Sequence, residues 1–433
     1  MSLDITAAYL YVDCKEGADL YVQLPDNIPH SLAGQIVRLK KQLYGTREAN
    51  RGFYFHLTAA LDRAGFEPIT TEPCIYRLKN ALPNQRAFVN TVVDDLYAMA
   101  ESTERPAPAL VRLHDELKRT YTHGVTVDPD AINHAGLTIT TTDTALTIAQ
   151  PGFIGKLLKK YEVPAHRYAP TPHTATLFEG APADSPPTAQ APYHTLIGEL
   201  LYAMKTRPDI ALAVPYLAKF TASPTEWHRL AARRVLSYLA GTQSLGLRLE
   251  FASAAKHGAR AFGWADASLA CHVNSRSHGA YAVTMGPSSA PLLVKSGVIA
   301  DAVCQSAAEA EYIVLAKAVK SILYVRSLLS DMGYKQAGPT VIFEDNESVI
   351  NMATNHLVTQ RSRHIDMKYH LVKFHTQHGN ILPTWVRSED QHVDILSKAT
   401  HTVAAWQRAR NALLNEATPG DDGNNITPNI DRK

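Results

Sequence analysis

At 433 residues the chain exceeds one typical domain and points to two to four. A hydrophobic fraction of 45% is enough for packed cores and excludes wholesale disorder. The balance of 43 Lys+Arg against 41 Asp+Glu leaves only +2, so any nucleic-acid contact must rest on local basic stripes rather than on bulk charge.

The opening LDITAAYLYV is rich in β-branched and aromatic residues and reads as a strand. GQIVRLKKQLYGTREANRGFYFHLTAALDRAGF is a basic segment running into an amphipathic helix that should end at Gly65. RAFVNTVVDDLYAMA has the pattern of a buried hairpin with carboxylates at its tip, which completes a compact α+β unit. Between Ala107 and Tyr168, ALVRLHDELKRTY reads as helix and HAGLTITTTDTALTIAQ as strands across a turn. FEGAPADSPPTAQAP lacks periodicity and is the clearest linker, near 178–192. Helices broken at Pro208 and Pro224 follow it. From about His257 the order strand, strand, strand, helix, strand, helix, strand, helix predicts a mixed five-stranded sheet with helices packed on it. The end of the chain, 401–433, closing on ATPGDDGNNITPNIDRK, is expected to be a disordered tail.

Four acids of this last sheet stand at strand or helix ends: Asp266 in GWADAS, Glu311 in SAAEAEY, Asp345 in IFEDNES and Asp394 in QHVDILSK. Carboxylates are the hard oxygen ligands that Mg²⁺ takes, and two ions about 3.5–4 Å apart can activate water and stabilise a leaving oxygen at a phosphodiester. Glu309 is better explained as the partner of Ser306 in a capping box. Glu311 lies on the stripe of Leu315 and Val319, where a buried carboxylate needs a partner such as a metal ion. Taken alone, Asp394 could equally be an acid at a helix start, and Asp266 and Asp345 turn residues.

WADAS, RSHGAYAV, SAAEAEYIVLAKAVK, FEDNESVINMA, RSRHIDMKYHLVK and VRSEDQHVDILSKA resemble, in this order, the ribonuclease H (RNase H) domain of copia-type retrotransposon polyproteins. The resemblance implies an RNase H-like fold over 256–400, with Asp266, Glu311, Asp345 and Asp394 as ligands of two Mg²⁺, Mn²⁺ being an alternative. Ser268 stands where the family often has a second Asp. Upstream, VRLKKQLYGTREANRGFYFHL, EPCIYRL and VVDDL resemble the family's reverse transcriptase, and LDITAAYL resembles its first catalytic strand. That implies a partial palm over 1–105, with Asp4, Asp94 and Asp95 as metal-binding catalytic acids and Tyr9 beside the incoming nucleotide's sugar. A helical thumb or connection region would occupy 106–255. The fold class is thus α+β and α/β multidomain. Val92 replaces a usual Tyr, Asn50 replaces a usual Pro, and the family's finger subdomain has no counterpart here, so polymerase activity is expected to be impaired.

The expected partners are an RNA:DNA hybrid and a template-primer, and both a homodimer and a precursor polyprotein are compatible with the sequence. Lys40, Lys41, Arg47, Arg51, Arg229, Arg233 and Arg234 are candidate phosphate contacts, with solvated helix faces as the plain alternative. His364, His370, His375 and His378 match no strong zinc spacing. Cys14, Cys74, Cys271 and Cys304 form no CxxC pair, and no stretch has signal-peptide or membrane-spanning character. The expected setting is intracellular, in a cytoplasmic particle or the nucleus, and not secreted. A stand-alone RNase H with the palm as a nucleic-acid clamp, and a non-catalytic relic of a retroelement, are the competing readings.

Overall fold

The computed structural model describes residues 1–15, 20–28, 31–128, 133–164, 168–287, 289–300, 302–354 and 366–416. The chain is mixed α/β with several sheets and separates into two compact units, Met1–Ala135 and Gly136–Lys433. Among the described residues no helix is long and apolar enough to cross a membrane.

The first unit is built on a six-stranded antiparallel sheet in the order 66–68, 75–78, 87–92, 95–100, 2–5, 125–128. Helices Ala49–Arg63 and Pro108–Thr120 pack against it through Phe53, Leu57, Leu61, Leu113 and Leu117, all buried with Leu3 and Ile5 of the first strand. The expected hairpin is Ala87–Val92 paired with Asp95–Ala100. The first helix ends as expected before Gly65, whose φ of 93° suits glycine. LDITAAYLYV is not one strand. The strand stops at Ile5, Ala7 turns the backbone at φ 54°, and a 3-10 turn over Ala8–Tyr11 carries Ala8 and Tyr9 into the core. This unit reaches past residue 105, because the 108–120 helix shares its core and Val125–Asp128 pairs with the first strand.

The second unit holds the mixed five-stranded sheet, in the order 291–298, 278–284, 262–268, 340–344, 381–385. The first two pairings are antiparallel and the last two parallel. Helix Ala307–Asp331 crosses one face of it. Glycine permits the close approach: a Cβ at Gly263 would stand 2.6 Å from Ile322 Cδ1, and one at Gly279 would collide with Val314. The other face, with Phe262, Trp264 and Phe343, shares a core with the helices at 190–203, 213–218 and 226–241.

That shared core explains two departures from the sequence reading. Segment 178–192 is docked rather than free: Phe178 is buried against His272 and His278, Thr188 N donates to Pro224 O, and Glu226 N donates to Pro186 O. The stretch expected as a disordered tail contains a helix, Val403–Leu414, capped by Thr402. Its many polar residues conceal an apolar stripe, with Trp406, Leu413 and Leu414 fully or nearly fully buried. The remainder of the tail, 417–433, lies outside the described residues.

Candidate catalytic centres

Asp266 lies within its strand, not after it, and is completely buried. Asp345 follows the parallel neighbour Thr340–Glu344, two positions past Phe343, as Asp266 is two positions past its register partner Trp264. Glu311 enters from the first turns of the 307–331 helix, whose start is fixed by Ser306 Oγ accepting from Glu309 N at 3.2 Å. Glu309 does act locally: its Oε2 accepts from Gln305 N at 2.7 Å, one residue before the position a capping box would use. One ligand oxygen from each of Asp266, Glu311 and Asp345 lies within 4.8 Å of the others, the sole such His/Cys/acid group among the described residues.

These carboxylates suit a hard divalent cation. Burial pushes the Glu311 carboxyl up to about 7, with Asp266 and Asp345 adding to the rise against an opposing hydrogen bond from Asn346. Glu311 Oε2 is buried without a hydrogen-bond partner. Asp266 is likewise raised by burial and by Asp394 and Asp345, while Lys398 and Ser397 oppose the rise. Ser388 Oγ donates to Asp345 at 2.8 Å. An ion among the three would remove the repulsion and satisfy the orphaned oxygen.

Asp394 sits in a 3-10 turn, His392–Leu396, in place of the expected final helix. Gln391 Nε2 fastens this turn to the sheet by donating to Ala265 O at 2.9 Å. Asp394 joins the group through Lys398, whose ammonium lies 2.8 Å from Asp394 Oδ1 and 3.1 Å from Asp266 Oδ1. Ser397 donates to the other oxygen of Asp266. A fifth acid, Glu344, is fully buried, and burial followed by Glu311 raises its pKa well above the usual carboxylate range, against an opposing interaction with the Asn346 backbone. Sequence reasoning missed Ser397, Lys398 and Glu344, although all three flank quoted motif acids.

In the first unit Asp4 stands opposite Asp95 across the strand pair, and Asp94 lies in the hairpin turn. Burial and then the charges of Asp94 and Asp95 raise the Asp4 pKa. The carboxylates are separately engaged. Asp95 receives His134 Nδ1 and Ala135 N, each at 3.0 Å, while Asp94 accepts from the Tyr44 hydroxyl. Tyr9 is buried, edge-on to Tyr44 at 4.3 Å between ring centroids, and donates its hydroxyl to Asn50. Val93 occupies the turn at φ 60°, a costly conformation for a β-branched residue. Tyr44 and Asn50 fall inside a quoted motif, whereas nothing local in the sequence marked His134.

The basic candidates divide. Lys40, Arg47 and Arg51 are exposed, and Lys41 is exposed but paired with Asp13 at 2.8 Å. Arg229 is paired with Glu226, its Nε 2.7 Å from Oε2. Arg234 is half-buried and donates to Thr171 Oγ1 at 3.1 Å. Arg233 is half-buried. Of the four histidines, His364 lies outside the described residues. His375 contacts Asn380 Nδ2 and His378 contacts Phe374 O, and no described histidine joins a metal-ligand group.

Residues 1–175 match the family model for reverse transcriptase (RNA-dependent DNA polymerase). The chain is 27% identical over 405 residues to the retrovirus-related Pol polyprotein from transposon RE1 of Arabidopsis thaliana, covering 92% of this chain and 26% of that one. It is 25% identical over 407 residues to that from transposon TNT 1-94 of Nicotiana tabacum, covering 92% and 29%. The foamy viral protease-reverse transcriptase, solved in complex with an RNA/DNA hybrid, is similar at 9% identity and a TM-score of 0.48, over 89% of this chain and 44% of that one. Residues 1–175 thus carry a reverse transcriptase domain, and over most of its length the chain is similar to the Pol polyproteins of copia-type retrotransposons. It spans about a quarter of the length of these two relatives.

Proposed function

We propose that region 256–400 hydrolyses the RNA strand of RNA:DNA hybrids, with Asp266, Glu311, Asp345 and Asp394 as the ligands of two Mg²⁺. The ions, when bound, supply charge neutralisation at the phosphate and a more acidic attacking water. The protein's part is to hold the carboxylates. Two parallel strands and a helix packed tightly on glycines present Asp266, Asp345 and Glu311 together, and the turn at 392–396 brings Asp394 beside them. Selection of a hybrid would come from contacts to the 2′-hydroxyls of one strand and a deoxyribose fit on the other. The observation that carries this reading is the close trio of acids with a buried, unpartnered Glu311 oxygen. In the first unit, Asp4, Asp94 and Asp95 are assigned to nucleotidyl transfer on a template-primer, with Tyr9 near the incoming sugar and Lys40, Arg47 and Arg51 towards phosphates.

The test is cleavage of a labelled RNA:DNA hybrid in Mg²⁺ by the parent and Asp345→Asn, with single-stranded RNA and duplex DNA as controls. The parent should cut only the RNA of the hybrid and the variant should lose at least about a hundredfold in rate, the scale of removing one transition-state charge stabiliser. Cleavage that survives the substitution rejects the site.

A further inference from the structure

Lys398 is the cationic side chain at the centre that the proposed reaction leaves unused. Its ammonium contacts Asp266 Oδ1 at 3.1 Å and Asp394 Oδ1 at 2.8 Å, so it stands where an ion liganded by both acids would have to sit. Mg²⁺ needs ligand oxygens at about 2.0–2.1 Å and cannot share that space with an ammonium. The lysine backbone is fixed, its N–H donating to Asp394 O at 2.9 Å. Its side chain is not: 32% is exposed, and a flexible four-carbon stem can swing the charge towards solvent. Asp394, unlike Asp345, contributes nothing to the close trio.

We propose that the Lys398 ammonium and a divalent cation compete for the space between Asp266 and Asp394, so that the centre takes its first ion at Asp266, Glu311 and Asp345 and a second only by displacing Lys398. The order follows from charge. Once an ion shares the Asp266 carboxylate, that carboxylate holds the ammonium less strongly and the ion repels it. His401, with Nε2 3.7 Å from Asp394 Oδ1, remains beside the vacated acid. Lys398 is thereby a positioning residue that sets the cation concentration at which the centre is complete.

This inference rests on the metal-centre reading above, and its test separates the two. Mn²⁺ is titrated calorimetrically into the full chain without nucleic acid, comparing the parent with Lys398→Met, Lys398→Arg, Asp394→Asn and Asp345→Asn. Lys398→Met should tighten the second binding step about tenfold or more while leaving the first nearly unchanged. Lys398→Arg should behave as the parent, and Asp394→Asn should abolish the second step. A second step that is indifferent to Lys398→Met, or weakened by it, overturns the competition while leaving the centre standing. Binding unaltered by Asp345→Asn overturns both. Circular dichroism checks that each variant is folded, and Lys398→Gln replaces the Met variant if that one is not.

Discussion

Glu311→Gln should make the ion-free protein more stable while weakening its response to Mg²⁺, a pair of opposite effects that a structural acid would not give. Glu311 is only 8% exposed, so solvent screens it little. Its carboxyl is held at about 7 against 4.5 unperturbed, first by burial. The folded carboxyl therefore binds a proton more tightly than the unfolded one. Stability falls as pH rises from 4.5 through 7, and the penalty is complete above that window. At about 1.4 kcal/mol per pH unit, the penalty at pH 8 is about 3 kcal/mol. A neutral amide of the same shape avoids it. In a chelator, the variant should therefore melt several degrees above the parent at pH 8, and the two should converge near pH 4.5. With Mg²⁺ at about a hundred times its Kd, the parent should recover about 2.7 kcal/mol and the variant much less. Scanning calorimetry at both pH values, with and without Mg²⁺, measures all four states. A variant destabilised equally at both pH values would show that Glu311 serves packing, and the reasoning would fail.

Two further outcomes concern the scaffold under the centre. Arg207 and Asp209 form a bidentate ion pair at 3.0 and 2.7 Å with neither side chain exposed, and Tyr238 adds its hydroxyl to Asp209. Asp209→Ala strands a buried guanidinium and should cost about 3–5 kcal/mol in urea unfolding, whereas Arg207→Met with Asp209→Leu should recover most of that loss; equal losses in both would refute the ion-pair account. His278 is bonded at both nitrogens, to His272 Nε2 at 3.1 Å and to Ser296 Oγ at 2.9 Å, and burial pushes its pKa down to about 3. Its contribution is complete above pH 6.5, the unfolded value, and is lost as pH falls towards 3. His278→Gln should therefore gain stability relative to the parent between pH 6.5 and 4, and a constant difference in melting temperature across that range would contradict the assignment.

Much of the architecture was legible because it rests on local chemistry. Short apolar runs such as AFVNTV, the glycine at 65, and the Ser306 cap each act within a few residues, and the elements formed there. The order of strands after residue 257 was readable for the same reason, but two helices, Glu347–Thr354 and Asp366–Gln377, stand where one was expected, and the expected closing helix at DILSK is a 3-10 turn. Less legible were features that depend on what lies across the core. The strand at 2–5 is cut short by a buried turn, the 178–192 segment is held by the 226–241 helix and by His272 and His278, and the 403–414 helix is stabilised by burying Trp406. Composition alone cannot report a partner surface.

For the candidate centres the division is similar. Motif and helical phase singled out Asp266, Glu311 and Asp345, and separated Glu311 from Glu309, because ligand type and the face of a helix are properties of short segments. Only the tertiary structure decided that Lys398 stands between Asp266 and Asp394, that Glu344 is a fully buried acid whose charge interacts with theirs, that His134 holds Asp95, and that Arg234 is half-buried and bonded to Thr171. Each of these depends on distances between segments far apart in the chain. In a buried site such distances determine which charges are paired and which are left for a ligand.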